Sequence, residues 1–454
     1  MNQRLADVAT TTRQVAAACA FGLLAACGGG GTATETTQAD DERAEALGLH
    51  KSVVIGSYGP NVVSIWRDVA AATAAVPSSP TGATLEERFA GPDTVTVQLA
   101  IYDAVIAIAG THKPFATRPT TPTAGASVEA AATEAAYRVL KGLFPSRSDK
   151  YQAAYDTGMA AIAAGDAKSR GMSIGAEAAQ AMLALRSGDG RDTVLAPYVP
   201  GTLPGEFRGV NPVNRVGPYV RPFALKSVSQ FRPDGPAPLT SRRYARDFNE
   251  VKAVGGAVST LRTAEQFEVA RFHTEPPGAF WLRNLGQFAT SRTDIAENAR
   301  LIAMIMVAFQ DASAACFDAK YRYNAWRPQS AIPLADTDGN PATVADPTWS
   351  PVVPTPNHPE YPAAHGCASG AVTEALRQFH GTRRIGFSMD SSVTGTAHSF
   401  DSTNALLDEV TNARVWGGMH FRSSVEVGTQ LGKQVARWTA QRHFERRHGH
   451  GPHD

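Results

Sequence analysis

The chain has 454 residues, with 43 lysines and arginines against 42 aspartates and glutamates. A hydrophobic fraction of 43% with only 19% charged residues argues against a disordered protein, and the length allows one large domain or two smaller ones. The balanced charge argues against a general nucleic-acid binder, and four cysteines are too few for a disulfide scaffold. Composition therefore predicts a globular, enzyme-sized body and indicates no particular chemistry.

The N-terminal segment has the pattern of an export signal. A basic start precedes an apolar run, Val15–Ala26, that is too short to span a bilayer stably. The run ends in Leu-Ala-Ala-Cys, which resembles a bacterial lipobox, so that Cys27 would be lipidated. An ordinary signal peptide or a buried N-terminal helix is the alternative. We predict a signal peptide over 1–26, a flexible tether over 27–46, and an exported lipoprotein, either periplasmic or anchored to the outer membrane.

The rest of the chain is predicted to be a helical body with a short tail. Apolar residues recur at helical spacing and strand-like alternation is scarce, so the predicted fold class is all-α. We expect one large domain over 47–445: N-terminal helices (47–186), a Pro- and Gly-rich wrap (187–240) and a C-terminal half that holds the chemistry (241–445). Residues 446–454 form a His-rich tail. The predicted helices are Val62–Val76, Val95–Ala109, Glu129–Phe144, Tyr151–Ala164, Ala176–Arg186, Ala264–Arg271, Ile295–Lys320, Ala371–Phe379 and Val425–His443.

The first candidate cluster lies where a long apolar helix ends. Lys320 and Arg327 are seven residues apart, so both cations can lie on one face if the helix continues to Arg327. Pro328 disfavours helical geometry at Arg327 and would end the helix there. A lysine point charge beside an arginine fork is typical of a site for a phosphate-like anion. For this cluster alone, a solvated basic helix end is the alternative.

The second cluster is His358-Pro-Glu-Tyr-Pro-Ala-Ala-His365, which leads into a helix of small residues. His365 falls near the start of that helix, where free backbone N–H groups and the helix dipole favour an anion. A histidine there can give a proton to a bound anion or take one from a peroxide or water. It can equally serve as a helix cap.

The third cluster surrounds the Gly417-Gly418 pair, which separates one element from a helix that starts near Ser423. Arg414 and His420 would project from the two sides of this turn. His420 can then act as a nucleophile or as a ligand. The alternative is an arginine and a histidine on unrelated surfaces.

In this order, the three clusters resemble the signature of the vanadium-dependent haloperoxidases and the type 2 phosphatidic acid phosphatase superfamily, which share one fold. That signature runs Lys, six residues, Arg-Pro; then Pro-Ser-Gly-His; then Ser-Arg, five residues, His, three residues, Asp. The clusters span residues 320–424, and the upstream helical order also resembles the bacterial haloperoxidase-like branch. The resemblance implies an α-helical bundle that holds vanadate, or phosphate in the same site.

The resemblance also implies a role for each matched residue. His420 would be the axial vanadium ligand, or the phosphorylated nucleophile of a phosphatase, and His365 the acid–base residue. The backbone N–H of Ala364 would contact the oxyanion. The cations that would neutralise this oxyanion are Lys320, Arg327 and Arg414.

Three positions depart from the family signature. Ala363 stands where the signature has serine, so a hydroxyl contact to the oxyanion is missing, and Ala413 replaces the serine before the third-cluster arginine. Ser424 stands where the signature has aspartate, which removes a carboxylate that would set the orientation and basicity of His420. Glu426 is a candidate to replace that carboxylate.

Two further features bear on the activity that the resemblance implies. His358 lies where bromide-oxidising relatives carry a histidine and chloride-oxidising relatives an aromatic residue, so it is the candidate halide-site residue. Cys316 and Cys367 flank the predicted site, and export would permit a disulfide between them. Two buried free thiols are the alternative, because spacing does not determine the distance between two cysteines.

The sequence therefore predicts an exported, vanadate-dependent, haloperoxidase-like enzyme that oxidises bromide or iodide with hydrogen peroxide. An acid phosphatase that forms a phosphohistidine at His420 is the first alternative, and a non-catalytic lipoprotein that retains the fold is the second. The expected partners are small molecules (hydrogen peroxide, halide or a phosphoester), with no nucleic acid. We expect membrane contact only through the N-terminal lipid anchor, and the oligomeric state stays open.

Overall fold

The computed structural model describes residues 52–55, 59–75, 91–290 and 293–447, which lie in one compact unit spanning residues 51–454. The predicted signal peptide, the tether with Cys27 and all but the first two residues of the His-rich tail lie outside the described residues. Export and lipidation therefore stay predictions.

Helices make up most of the described chain, which confirms the predicted all-α class. The wrap between the fifth and sixth helices contains a single turn of 3-10 helix, Gly217–Tyr219, among its described residues. The helices are α1 (Val62–Ala75), α2 (Gly91–Ala109), α3 (Val128–Leu143), α4 (Ser148–Ala160), α5 (Asp166–Arg186), α6 (Arg242–Gly255), α7 (Ala264–Phe272), α8 (Pro277–Asn284), α9 (Ile295–Tyr323), α10 (Pro328–Ala331), α11 (Ala364–His380), α12 (Thr403–Trp416) and α13 (Arg422–Arg442).

A small sheet also forms, which the sequence did not predict. Strand β1 (Val53–Val54) pairs in parallel with β2 (Ile385–Asp390), and β2 pairs antiparallel with β3 (Ala397–Phe400), with Phe387 opposite Phe400. Alternate side chains of β2 are buried, so the period-2 pattern is present but short. Strand β3 carries His398, which is hydrogen-bonded to Glu409 of α12.

The core is built around α2 and α9. Both helices are long and apolar enough to cross a membrane, but 83% of the apolar window of each is buried inside the protein, as expected of core helices. Asp294 caps the start of α9 by accepting the backbone N–H of Ala296 (2.7 Å). Asn324 ends α9 in the left-handed conformation, which turns the chain out of the helix one turn after Lys320.

One buried carboxylate of α9 binds three consecutive residues of the wrap. Asp311 accepts backbone N–H groups from three consecutive wrap residues at 2.7, 2.7 and 3.0 Å. Earlier in the wrap, Gly205 and Phe207 pair through their backbones with Trp326 and Asn324 (both 2.8 Å). The irregular segment is thus fixed against the stretch that leads to Arg327.

Helices α11 and α13 pack with their backbones in contact. A Cβ atom on Gly432 would lie 2.1 Å from the Cys367 carbonyl oxygen, and one on Gly370 would lie 2.3 Å from the Thr429 oxygen. Glycine is therefore required for this close approach. Because α11 begins at the second cluster and α13 at the third, the contact holds those two clusters together.

We expect Gly432→Ala to destabilise the protein by ~1–3 kcal/mol, because the added methyl overpacks the α11–α13 contact. Gly278 in α8 is the matched control, since a Cβ there meets nothing within 4 Å. Gly278→Ala should be neutral or stabilise by up to ~1 kcal/mol, because alanine is the better helix former. Urea unfolding at constant m-value measures both; equal effects of the two substitutions would contradict the packing argument.

Candidate active site

Arg327 connects the three clusters. Its side chain is buried, and Nε donates to the His358 carbonyl oxygen (2.8 Å) while Nη2 lies 2.9 Å from His358 Nδ1. Nη1 donates to the Met419 carbonyl oxygen (3.0 Å) and lies 2.9 Å from His420 Nε2. Residues from the first, second and third clusters therefore meet at one guanidinium.

Lys320 joins the first two clusters from the end of α9. Its fully buried Nζ donates to the carbonyl oxygens of Pro359 (2.8 Å) and Glu360 (3.0 Å). The spacing argument required the helix to continue to Arg327. Instead, α9 ends at Tyr323, and Arg327 has extended backbone geometry just before α10. The two cations meet because the chain turns at Asn324, so the helical-face argument was wrong.

His420 lies in the linker between α12 and α13, between a cation and a carboxylate. Nδ1 is 2.8 Å from Glu360 Oε1, and Nε2 faces Arg327. A guanidinium only donates and a carboxylate only accepts, so the hydrogen-bond network assigns the proton to Nδ1 and the lone pair to Nε2. Burial, followed by the charges of Arg327 and Lys320, holds the pKa of His420 well below its usual value and keeps the ring neutral.

Glu360 supplies the carboxylate that Ser424 cannot. Besides His420, its Oε1 accepts the backbone N–H of Phe421 at 3.1 Å. The Ser424 hydroxyl donates to the Glu360 carbonyl oxygen (3.4 Å), whereas Glu426 lines a cleft at the surface with Arg232 and Arg243. The suggestion that Glu426 replaces the missing aspartate was therefore wrong. Sequence reasoning missed Glu360, although it lies inside the second cluster.

Two N–H donor groups of Arg414 have no hydrogen-bond partner among the described residues. It is fully buried in the last turn of α12, and Nη1 donates to the His273 carbonyl oxygen (2.6 Å). Its Nε and Nη2 are buried without a hydrogen-bond partner among the described residues. Each such group costs ~1–3 kcal/mol if it stays unsatisfied, and more when charged. An anion at this place would accept both.

His365 lies in the first turn of α11, directly after Ala364. Its Nε2 donates to the Glu275 carbonyl oxygen (2.9 Å), which leaves Nδ1 as the lone-pair atom of the neutral ring. Burial, followed by the charge of Arg414, holds the pKa of His365 well below its usual value. His365 is thus a neutral base, and the nearby charge of Arg414 contributes to its low pKa.

Burial disfavours every charge in this site. It lowers the pKa of Lys320 to about 8, of Arg327 to about 10 and of Arg414 to about 9, and it raises the pKa of Glu360 to about 7. Lys320 and Arg327 oppose the shift at Glu360. Three buried cations thus face one buried carboxylate among the residues that meet here, an arrangement that favours a bound anion.

His358 and the two cysteines complete the surroundings. The His358 ring packs edge-on against Phe317, with centroids 5.3 Å apart, and burial holds its pKa well below the usual value. Cys316 and Cys367 are buried free thiols, and Cys316 Sγ lies 3.7 Å from the Pro362 carbonyl oxygen. The candidate disulfide is therefore not formed, and the alternative of two free thiols describes the structure.

The donor set is that of an oxyanion site. In the described part of the chain, no group of three or more His, Cys, Asp or Glu side chains could hold a metal ion directly. The site instead offers cationic N–H donors, the neutral rings of His420 and His365, and the start of α11. A tetrahedral oxyanion such as vanadate or phosphate matches such a set, because it needs charge compensation and donors rather than a shell of carboxylates.

The chain is similar to known proteins in part of its sequence and in its fold. Residues 300–449 match a family model described as the VCPO second helical-bundle domain. Among solved structures, the chain is similar to a bacterial vanadium-dependent iodoperoxidase, with 22% identity and a TM-score of 0.66, covering 86% of this chain and 98% of that one. No curated protein matches the chain.

The chain is also similar to a bacterial vanadium-dependent chloroperoxidase. Its holo form has 17% identity and a TM-score of 0.64, covering 85% of this chain and 97% of that one. Its apo form has 16% identity and a TM-score of 0.62, covering 82% and 96%. These similarities show a shared helical-bundle fold.

Above pH 7, where Glu360 is ionised, we expect Glu360→Gln to destabilise the anion-free protein by ~3 kcal/mol, because it removes the one carboxylate among three buried cations. Glu426→Gln is the matched control, since Glu426 lies at the surface cleft, and it should change the free energy of unfolding by less than ~0.5 kcal/mol. Urea unfolding without added anion measures both. A Glu360→Gln protein as stable as the wild type would show that the carboxylate does not compensate the cations.

Proposed function

We propose that this chain, which has the helical-bundle fold of the vanadium haloperoxidase superfamily, is a vanadate-dependent haloperoxidase that oxidises bromide or iodide with hydrogen peroxide. The observation that carries the proposal is the excess of buried positive charge, with two donors of Arg414 left unpartnered. Such a cluster is expensive to bury unless an anion completes it.

Vanadate fits the residues present. Arg414 Nε and Nη2 would donate to its oxygens, Lys320 and Arg327 would compensate its charge, and the backbone N–H of Ala364 would add a donor at the start of α11. His420 Nε2 would bind the vanadium. When bound, vanadate acts as a Lewis acid that activates peroxide without changing its oxidation state.

Glu360 prepares His420 for this role. By accepting the Nδ1–H it leaves the lone pair on Nε2, which is the atom that binds a metal or attacks phosphorus. In the structure Nε2 faces Arg327 Nη1, which also donates to the Met419 carbonyl oxygen. Arg327 therefore keeps an acceptor when Nε2 turns to another partner.

His365 would manage the proton of the substrate. Its Nε2–H is fixed by the Glu275 carbonyl oxygen, so that the free lone pair on Nδ1 can take a proton from hydrogen peroxide. The low pKa of His365 keeps it in the neutral, accepting form. Oxidation of a halide to hypohalous acid consumes one proton per turnover, and Nδ1 can return the proton it took.

The halide preference rests on His358. It lies beside Arg327 and against Phe317, at the edge of the cluster, and by the family resemblance it favours bromide or iodide over chloride. The similar solved structures include both an iodoperoxidase and a chloroperoxidase. Proteins with this fold therefore differ in the halide that they oxidise, and a direct assay identifies the halide of this protein.

An acid phosphatase is the second candidate. A lone pair on His420 Nε2 suits nucleophilic attack on phosphorus, and the same three cations would compensate a phosphoester. His365 would then protonate the leaving alcohol. The site compensates either tetrahedral oxyanion, so only activity separates the two candidates.

The test is a halide assay with purified protein, peroxide and chloride, bromide or iodide, with and without orthovanadate. We expect vanadate-dependent oxidation of bromide or iodide, lost by ~100-fold or more in Arg414→Met, because that change removes the unpartnered donors. Arg322→Met, at an exposed arginine of the same region, is the control and should keep full activity.

Other outcomes of this assay would overturn the proposal. Vanadate-inhibited hydrolysis of a phosphoester, without halide oxidation, would make the protein a phosphatase. Neither activity, together with no binding of orthovanadate or phosphate, would leave a non-catalytic protein that retains the fold.

Phosphate affinity should fall as pH rises through about 8, because the Lys320 ammonium loses its proton there instead of near its usual 10.5. Below that pH the lysine is charged in the free protein and binding needs no proton uptake. Lys320→Gln should bind phosphate more weakly at neutral pH and lose the step near pH 8. Isothermal titration calorimetry with inorganic phosphate across this range measures both. A wild-type affinity that is flat through the same range would exclude Lys320 as the titrating cation.

A further inference from the structure

Four titratable side chains next to the site form a chain of hydrogen bonds. Glu268 Oε2 is 2.9 Å from His398 Nε2, and His398 Nδ1 is 2.9 Å from Glu409 Oε1. The same Glu409 oxygen lies 2.8 Å from His273 Nε2. This array (Glu268, His398, Glu409 and His273) is not needed by the chemistry proposed above, so its role requires an explanation.

Three elements build the array, and one ring holds it in place. Glu268 lies on α7, His398 on β3 and Glu409 on α12, and His273 directly follows α7. The His398 ring stacks on Phe272 with centroids 3.8 Å apart and an angle of 10°. The array runs from the partly exposed Glu268 inward to the fully buried His273.

The inner end of the array contacts a site residue through the backbone. The His273 carbonyl oxygen accepts Arg414 Nη1 at 2.6 Å, and it is the sole acceptor that the described residues offer to Arg414. Glu409 and Arg414 belong to the same helix, α12. This helix therefore holds His273 at two points, at the ring through Glu409 and at the carbonyl through Arg414.

The same short segment also holds the acid–base candidate. Two residues after His273, the Glu275 carbonyl oxygen accepts His365 Nε2 at 2.9 Å. The Glu275 carboxylate is paired with Arg283, which holds that end of the segment. Residues 273–275 thus present one carbonyl to Arg414 and another to His365.

We propose that Glu409 is a positioning residue for the oxyanion site, acting through the His273 ring to fix the carbonyls of residues 273–275 and so to aim Arg414 and His365. This inference rests on the proposed function, because it assigns Glu409 to the binding of the same oxyanion. Glu409 does not touch the oxyanion itself.

The charges of the array suit this role. Burial raises the pKa of Glu409, but the N–H groups of His273 and His398 outweigh burial and leave it below its usual value. Burial lowers the pKa of His273, which the Glu409 carboxylate opposes. The hydrogen bond from a neutral His273 to an ionised Glu409 is charge-assisted, and such a bond is about twice as strong as one between neutral groups. It is strong enough to hold a loop residue in one orientation.

The test compares Glu409→Ala with Glu409→Gln in the full chain. Glu409→Ala should weaken orthovanadate binding ~10-fold, as expected when a residue behind a ligand is removed. Glu409→Gln should restore most of this loss, because its amide oxygen still accepts the His273 N–H. Asp408→Ala, at the exposed neighbouring residue of α12, is the control and should bind like the wild type.

A second variant keeps the test decisive if Glu409→Ala fails to fold. His398→Phe preserves the stacking on Phe272 but removes both ring nitrogens, so Glu409 keeps only His273 among its imidazole partners. We expect orthovanadate affinity to fall in His398→Phe as well, by a smaller factor than in Glu409→Ala. Wild-type affinity in His398→Phe and in Glu409→Ala would overturn the proposal, as would a Glu409→Gln protein as weak as Glu409→Ala.

The readout separates this inference from the proposed function. If the wild type itself does not bind orthovanadate, the proposed function fails. If the wild type binds and the Glu409 variants bind equally well at an equal folded fraction by circular dichroism, only the positioning role fails. A purely structural array would lower the melting temperature without changing the affinity of the folded protein.

Discussion

Burial of three cations in one place is the constraint on which the rest of this structure depends. Each buried charge costs several kcal/mol unless it is compensated, and one carboxylate cannot compensate three. The remaining donors are met mostly by backbone carbonyls of residues 273, 358–360 and 419, all of which lie outside helices. Lys320 and Arg414 lie in helices, whereas Arg327 and the carbonyl acceptors lie in the irregular segments between them. Both parts of the structure therefore have to be held rigidly.

Glu360 both compensates the cations and holds the irregular segments in place. Its N–H donates to the Ala325 carbonyl oxygen (2.9 Å), its carbonyl accepts Lys320, and its carboxylate accepts His420. One residue therefore connects the loop before Arg327, the end of α9 and the turn before α13. Because the backbone and the side chain of Glu360 have different partners, its charge and its position are set by separate interactions.

The sequence predicted long helices such as α3 and α9, and it missed α6, α8 and α12. Apolar periodicity placed the start of α11 only at Ala371, because its first turns consist of small residues that show no apolar stripe. The helix starts at Ala364, beside His365, as the second cluster indicated. The order and spacing of the cluster residues pointed to one site. The contacts that shape this site join residues far apart in the chain, as Glu360 with His420 and His273 with Glu409 do. No local pattern predicts which carboxylate faces which histidine.

The departure from the signature at Ser424 likewise shows that the partner of a histidine is set by contacts between distant residues. Read alone, the loss of the signature aspartate indicates a histidine without its partner. In the structure Ser424 is buried against Glu360 and donates to its carbonyl oxygen. An aspartate at 424 would put a second carboxylate against that carbonyl and near the Glu360 charge, which repels it. The serine and Glu360 are therefore complementary: the carboxylate that orients His420 comes from the segment before α11 instead of from α13, and α13 needs only a small donor there. A motif can lose a residue and keep its chemistry when the missing group arrives from another element.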